Sequence, residues 1–339
     1  MIAPMKNLNK TLLIAIENEL RRQIARLDEP HTASYLEMLT YHMGWTGEGA
    51  GPKATGKRIR PLLVLLAAAS SSGEWQKALP AAAAVELTHN FSLLHDDIQD
   101  NSKTRRGRPT VWVRWGAAQA INAGDGLLII SNLAMADLIK NCSPEIAMEG
   151  FRILQETCLN LTRGQHMDIS YESRTDLEVG DYWSMISGKT AALISACTHL
   201  GALLGGADEE KQSAYRDFGH YLGLAFQVQD DILGIWGDEA LTGKSTASDL
   251  LEGKKSLPVL YGLDKNGEFA RRWHQGPLNA EEISDMAKLL EVEGARLQAQ
   301  QSADQMTDLS LKALRMAEPQ GEAGNQLFEL ANLLLKREA

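Results

Sequence analysis

Apolar residues recur at helical spacing along almost the whole chain. Leu12, Ile16, Leu20 and Ile24 stand four apart with charges between them, the stripe of an amphipathic helix. A helix is expected through Leu62–Ala69 and another from about Trp75 into Asp100, after which Gly107 and Pro109 break the pattern. Further helices are expected over 117–140, 144–173, 176–187, 189–205 and 208–235, and again from about Ser256 onward, with short loops near Gly267, Gly276 and Gly321. No run alternates apolar and polar residues between Asn-Gly or Asp-Gly turns, so strands are nearly absent from this pattern. Two stretches read as irregular: the Gly-rich connection from Gly44 to Gly56, and the segment from Gly237 to Lys255. No Pro-rich or low-complexity linker divides the chain. The pattern predicts a single all-α domain over residues 1–339, a large many-helix bundle, with frayed ends at 1–10 and 337–339.

Composition narrows this picture. Hydrophobic residues make up 44% of the 339, aromatic ones only 6%, so the core must be built mainly from Leu, Ala, Ile, Val and Met. The net charge of -10 argues against general nucleic-acid binding, which needs a basic surface. An acidic protein that handles an anion must place its cations locally. Cys142, Cys158 and Cys197 form no CxxC pair and read as small buried residues of a reducing compartment, the cytoplasm. No secretion signal precedes the first charged helix. Thr190 to Ala207 carries no charge, yet it holds Ser195, Thr198, His199 and several glycines and is shorter than the roughly twenty apolar residues of a membrane span. It reads as a buried core helix.

The sharpest chemical feature is Asp96-Asp97-Ile98-Gln99-Asp100, which ends an apolar helix containing Phe91, Leu93 and Leu94. Residues four apart share a helix face, so Asp96 and Asp100 point the same way. Their repulsion after an apolar run is costly unless a cation offsets it. Carboxylate oxygens on a rigid face suit Mg²⁺, which takes one or two carboxylates plus substrate phosphates. A second pair, Asp230-Asp231, follows the apolar run Leu222 to Val228, with Gln227 inside it. Two acidic helix ends could face one another across a bundle and hold metals between them. A solvated helix end explains either cluster alone, but explains both together less well.

The cations are equally local. Lys57, Arg58 and Arg60 follow a glycine, Arg105 and Arg106 follow the first acidic cluster, and Lys189 follows Gly188. Lys244, Lys254 and Lys255 follow the second cluster. Guanidinium forks grip phosphate in a bidentate way, whereas lysine supplies a compact charge. A solvated surface is the default expectation for Arg58 and Lys255. Basic groups flanking both acid pairs suggest a metal-bridged, multiply charged anion, which diphosphate fits.

Three ordered segments carry a family resemblance: Gly56-Lys57-Arg58-Ile59-Arg60-Pro61, then His95 to Asp100 with Arg105-Arg106-Gly107-Arg108-Pro109, then Phe226-Gln227-Val228-Gln229-Asp230-Asp231. Gly164-Gln165 with Asp168, Gly188-Lys189-Thr190 and Thr242-Gly243-Lys244 support them. In these the chain resembles the trans-isoprenyl diphosphate synthases, the family of farnesyl and geranylgeranyl diphosphate synthases, from about residue 10 to the end. The resemblance implies helices around a central cavity, the isoprenoid synthase type I fold, in a homodimer. It implies that Asp96, Asp100 and Asp230 ligate three Mg²⁺ ions that hold an allylic diphosphate, whose binding Arg105, Lys189, Lys244 and Lys254 complete. It implies a metal-free pocket for isopentenyl diphosphate made by Lys57, Arg60, His89 and Arg106. Thr190 and Gln227 would lie beside the ionising carbon, and the released diphosphate would take the final proton. Lys336 and Arg337 stand where family members carry a basic tail, but match it poorly. His95 reads as a packing residue.

The resemblance also bears on product length, since Phe91 and Ser92 precede Asp96 by about one turn and would form the floor under the growing chain. One aromatic below a small residue resembles the geranylgeranyl-forming pattern; farnesyl or longer products are the alternatives. One departure is Gly234, where the family places a third Asp; this puts metal affinity in question. A class I terpene cyclase would share the fold but would not need Gly56–Pro61 or Arg105-Arg106, and its Asn/Ser/Glu metal motif is not found. A silent subunit of a two-component synthase would have lost the first acidic cluster, which is intact. A scaffold without a small-molecule site leaves both acid–base constellations unexplained.

Overall fold

A computed structural model describes residues 5–237 and 248–335. They fall into two compact units: residues 5–156 with 197–212 and 319–327, and residues 157–196 with 213–237, 248–318 and 328–335. Among the described residues the only strands are two residues long each, so the all-α expectation holds.

The first unit contains α1 (Met5–Ile24), α2 (Ala33–His42), α3 (Pro52–Thr55), α4 (Ile59–Ser72), α5 (Leu79–Gln99), α6 (Val111–Trp115) and α7 (Ala117–Ala136). The stripe Leu12, Ile16, Leu20 and Ile24 is fully buried, as its spacing requires. Helix α5 is the hub and packs against α1, α4 and α7. Its run Ala81–Ala84 is buried on every side, and small side chains let neighbouring helices come close. On one of these contacts Ser131 Oγ of α7 donates to the Ala84 carbonyl at 2.8 Å. Between α5 and α6 lies a hairpin of β1 (Thr104–Arg105) and β2 (Arg108–Pro109), paired antiparallel with Thr104 opposite Pro109. Two-residue strands are too short to show alternation, which is why the sequence pattern carries no sign of them. Helix α2 is a further element that the pattern does not predict.

The solvated reading of Arg58 is corrected here. Arg58 is only 4% exposed, holds a left-handed φ of 50° before α4, and is bracketed by Glu17 at 2.6 Å and Glu86 at 2.8 Å. Two carboxylates offset the cost of burying its charge. It ties α1, α4 and α5 together.

The second unit holds the later part of α8 (Pro144–Tyr171), then α9 (Val179–Ile186), a π turn at Ser187–Ala191 and the start of α10 (Ala192–Leu204). It continues with most of α11 (Glu209–Trp236), α12 (Ser248–Leu251), α13 (Leu257–Asp264), α14 (Glu268–Trp273), α15 (Ile283–Val292), α16 (Ala295–Met316) and the later part of α17 (Gly321–Leu335). Tyr182, Ile186, Leu224, Val228, Ile232, Leu257 and Leu260 form one buried core, and Phe269 with Ile235, Val259, Met286 and Leu290 a second. Helix α9 begins later than expected because Glu178 and Asp181 close a capping box at its start. The charge-free stretch from Thr190 is largely buried, and no described helix is long and apolar enough to cross a membrane. None of the three cysteines forms a disulfide; Cys197 is buried, and Cys142 and Cys158 only partly so.

Candidate active site

In the first unit the site is built on the last turn of α5. Asp100 caps the helix, its N–H bonded to the Asp96 carbonyl at 2.8 Å, so the two carboxylates lie one above the other on one face. Asp96 is half-buried and Asp100 exposed. Asp97 points the other way, 1% exposed, and accepts Arg105 Nε at 2.8 Å. Burial raises the Asp97 carboxyl above its ordinary range, against the pull of Arg105. Of this acid pair, one member faces outward and the other anchors the hairpin.

That hairpin positions the arginines. Arg105 lies on β1, while Arg106 and Gly107 form the turn with φ of 53° and 74°. The residue Arg106 is exposed, but its guanidinium lies in a groove over Gly56 and donates to the Ala54 carbonyl at 2.8 Å. A Cβ on Gly56 would come within 2.7 Å of that guanidinium, and Gly56 holds a φ of 78°, so only glycine serves there. Burial, opposed by Glu86 and reinforced by Arg58, Arg105 and Arg60, lowers the Arg106 pKa. Arg60 Nη1 meets His89 Nε2 at 3.2 Å. Burial, then Arg60, Arg106 and Arg105, keep His89 neutral, far below the usual histidine range. A neutral imidazole can accept from Arg60. Lys57 is exposed between Gly56 and Arg58. Arg60, His89, Arg105 and Arg106 thus share one cation-rich neighbourhood.

His42 on α2 belongs to the same neighbourhood and has no signal in the sequence. Burial, with Arg105, Arg106 and Arg58, pushes its pKa down to about 3. Arg108, by contrast, is structural: it donates to the Tyr41, Thr46 and Glu48 carbonyls and stacks on the Tyr41 ring. His95 packs as expected, its Nε2 3.1 Å from the Ile121 carbonyl and its ring edge-on to Phe91 at 5.0 Å. Ser92, on the Asp96 side of the helix, bonds the His89 carbonyl at 2.8 Å.

In the second unit the π turn carries Gly188, Lys189 and Thr190. Such turns widen a helix locally and recur at functional sites. This one is held between glycines: a Cβ on Gly164 would lie 2.1 Å from the Lys189 nitrogen, and one on Gly223 would lie 2.6 Å from Ala191 Cα. Lys189 Nζ pairs with Asp168. Thr190 Oγ1 donates to Gln227 Oε1 at 2.7 Å, and Gln227 Nε2 donates to Asp231 Oδ1 at 2.9 Å. Asp231 Oδ2 accepts Tyr182 OH at 2.7 Å and the Leu257 N–H at 3.1 Å. Burial pushes the Asp231 carboxyl up to about 7 against these three donors, with Asp249 adding to the rise. Asp231 is therefore enclosed, whereas its neighbour Asp230 is exposed. The pair does not end its helix: α11 runs on to Trp236.

Lys254 Nζ contacts Glu252 at 2.7 Å and Asp249 at 3.5 Å. Lys255 is half-buried, not solvated as expected, and caps α8 through the Tyr171 and Glu172 carbonyls at 2.5 and 2.8 Å. Lys244, Lys336 and Arg337 lie outside the described residues. Asp96 and Asp230 belong to different units. No group of three or more His, Cys, Asp or Glu side chains poised to hold a metal occurs among the described residues.

The sequence profile of the Polyprenyl synthetase family matches residues 51–291. The geranylgeranyl diphosphate synthase of Mycobacterium tuberculosis is 40% identical over 326 residues, spanning 94% of this chain and 90% of that protein. A (2E,6E)-farnesyl diphosphate synthase of Mycobacterium bovis is 38% identical over 331 residues, with the same 94% and 90% coverage. Among solved structures, a polyprenyl synthetase from Streptomyces coelicolor matches with a TM-score of 0.86 at 35% identity, over 96% of this chain and 98% of that one. A polyprenyl synthase from Caulobacter crescentus, solved with calcium and isoprenyl diphosphate, matches with a TM-score of 0.82 at 29% identity, over 98% and 97%.

Proposed function

Because this chain belongs to the polyprenyl synthetase family, we propose that it is a synthase joining isopentenyl diphosphate head-to-tail to an allylic diphosphate, with geranylgeranyl diphosphate as the product. It is a trans-prenyltransferase. The observation that carries the assignment of the site is the meeting of Arg60, His89, Arg105 and Arg106 around the end of the helix that presents Asp96 and Asp100.

The roles follow from charge and geometry. Lys57, Arg60, His89 and Arg106 take isopentenyl diphosphate. Neutral His89 accepts from Arg60 and so keeps that guanidinium fixed. Arg105, held by Asp97, and Lys189, held by Asp168, take the allylic diphosphate together with Lys244 and Lys254. Asp96, Asp100 and Asp230 would hold three Mg²⁺, which neutralise the charge growing on the departing diphosphate. Calcium in the Caulobacter relative is an oxygen-seeking ion of the same kind. Thr190 and Gln227 face the carbon that becomes electron-deficient. Binding both substrates in one orientation replaces a chance encounter, and an apolar surround keeps water from quenching the cation. The released diphosphate takes the final proton.

The family profile spans both compact units, which supports one functional domain. We assign a homodimer. On α7, Ile121, Ile129 and Leu133 are 47%, 57% and 42% exposed on one side of the helix, interrupted by the exposed Asp125, and a second copy is the partner we assign to these apolar residues. Three cysteines without a disulfide fit a reducing cytoplasm.

The test is incubation of the purified chain with Mg²⁺, isopentenyl diphosphate and each of the five-, ten- and fifteen-carbon allylic primers. Elongation to the twenty-carbon diphosphate is expected, and Asp96→Ala should abolish it while the circular dichroism spectrum stays unchanged. Hydrocarbon or alcohol from a long primer alone would indicate a cyclase. Turnover only with a second protein would indicate a silent subunit.

A further inference from the structure

The second acidic motif contains two aspartates, and only Asp230 is open to solvent. Asp231 is 6% exposed, and every group around its carboxylate is a donor: Gln227 Nε2, Tyr182 OH and the Leu257 N–H. This fixes the direction of every hydrogen bond in the chain that leads from it. In its ionised form, which the three donors favour against burial, Asp231 has only lone pairs to offer, so the Gln227 atom that faces it must be the amide nitrogen. The amide oxygen then faces Thr190, and the Thr190 hydroxyl must give its proton to that oxygen, at 2.7 Å. With its proton committed, Thr190 Oγ1 shows its surroundings lone pairs alone. Gln227 Oε1 likewise keeps a second lone pair.

The geometry points to Asp231 and Tyr182 as positioning residues that set the polarity of the Thr190–Gln227 pair, so that oxygen lone pairs rather than N–H groups meet the allylic carbon as it becomes positive. The inference rests on the assignment of Thr190 and Gln227 to that carbon. Were the amide reversed, an N–H dipole would point its positive end toward the developing cation and raise the barrier. Tyr182 enforces the arrangement from below. Its ring is 1% exposed within the α9–α11–α13 core, and its phenol, pushed well above the usual tyrosine range by burial and by Asp231, stays a donor. No part of this chain of bonds requires Asp231 to touch a metal or a substrate.

The test is Asp231→Asn, which keeps the shape and exchanges one acceptor for a donor. The two donors at the far side, Tyr182 and Leu257, select the oxygen of the new amide. Its NH₂ then faces Gln227, which must turn its own oxygen toward it and offer its nitrogen to Thr190. The expected result is a fall in kcat of about tenfold to a hundredfold, with KM for both diphosphates within about threefold of wild type. The double variant Asp231→Asn with Gln227→Glu moves the carboxylate one position along the chain. The introduced carboxylate at position 227 accepts from the amide at position 231 on one oxygen and from Thr190 on the other, so the lone-pair face returns. At least part of the lost kcat is expected back.

A residue that served only packing would not be rescued by a second substitution that adds a buried charge. Unchanged kcat in Asp231→Asn, or no recovery in the double variant, overturns the inference. Gln227→Ala separates the two levels. If it leaves kcat unchanged, Gln227 is not at the reacting carbon and the underlying site assignment fails; if it lowers kcat while Asp231→Asn does not, only the polarity argument fails.

Discussion

Asp249 fills the space that a side chain at Gly234 would need. A Cβ built on Gly234 would stand 2.1 Å from Asp249 Oδ2 and 2.6 Å from its carboxyl carbon. Asp249 is 6% exposed and has Lys254 Nζ 3.5 Å from its Oδ1. The family motif places a third aspartate at position 234, and its replacement by glycine looks, in the sequence alone, like a lost carboxylate. In the fold a carboxylate from elsewhere in the chain already occupies that place.

The consequence is that Gly234→Asp should not improve the protein. The new side chain must displace Asp249 and set a like charge against it in a buried site. Overpacking alone costs about 1–3 kcal/mol, and the charge adds to it. The expected outcome is a lower denaturation midpoint with no gain in Mg²⁺ affinity. A variant as stable as wild type and with tighter metal dependence would show that position 234 still has room for a ligand.

The π turn that carries Lys189 and Thr190 makes a second prediction. Alanine normally favours a helix over glycine by about 1 kcal/mol. At Gly164 in α8 that gain is overwhelmed, because the added methyl meets the Lys189 backbone nitrogen at 2.1 Å and backbone cannot step aside. Gly164→Ala should destabilise the protein by about 1–3 kcal/mol and raise KM for the allylic substrate through a displaced Lys189. Thermal melts and steady-state kinetics on the same preparation check both. An unchanged melting temperature would mean that the two segments can separate without cost.

These glycines show where the sequence is legible and where it is not. The stripe Leu12, Ile16, Leu20 and Ile24 announces a helix because burial on one face leaves a period of about four. The acidic and basic motifs stand out because like charges crowded on one helix face repel unless a counter-ion is shared. Gly164, Gly223 and Gly234 cannot be read the same way, since their reason lies in a partner distant in sequence: Lys189, Ala191 and Asp249. Arg58 misleads for the same reason. Its carboxylate partners, Glu17 and Glu86, sit on other helices, and nothing local marks it as buried. His42 carries no pattern at all, because what sets its chemistry is the cluster of arginines that the fold brings around it.

That cluster predicts an acid response. An unfolded histidine binds a proton near pH 6.5, whereas burial and neighbouring cations hold folded His42 at about 3 and His89 far below the usual range. As pH falls below about 6.5, the unfolded chain gains protons that the folded chain refuses, so stability drops. The histidine loss should begin between about pH 7 and 5; Asp231, which burial holds at about 7, works against it in the same window, because there the folded chain takes up a proton before the unfolded one. Asp137 contributes lower down: burial raises its carboxyl, but hydrogen bonds from Lys140, Gln23, Arg22 and Arg26 outweigh that and hold it far below the usual range. Replacing His42 with Gln should therefore raise the urea midpoint at about pH 5, relative to that at about pH 7, compared with the wild type. Parallel shifts in the two proteins would remove His42 from the acid response.

The last prediction concerns how long the product grows. Phe91 and Ser92 lie on different sides of α5. Ser92, four residues before Asp96, continues the line of the outward carboxylates and bonds back to the His89 carbonyl. Phe91 instead shares its side with His95, meeting that ring edge-on at 5.0 Å, and His95 is fixed in turn by the Ile121 carbonyl of α7. On the proposed function, in which a prenyl chain descends along α5, this braced ring would be its stop. Removing it opens the space of one aromatic side chain, roughly that of a further isoprene unit. Phe91→Ala should shift the product distribution toward chains of twenty-five carbons and beyond, with the rate of the first condensation little changed. Ser92→Phe, which puts a ring one residue nearer the carboxylates, should shift it toward fifteen. Chromatography of the dephosphorylated products distinguishes the outcomes. An unchanged distribution in both variants would move the floor of the cavity away from this turn of α5.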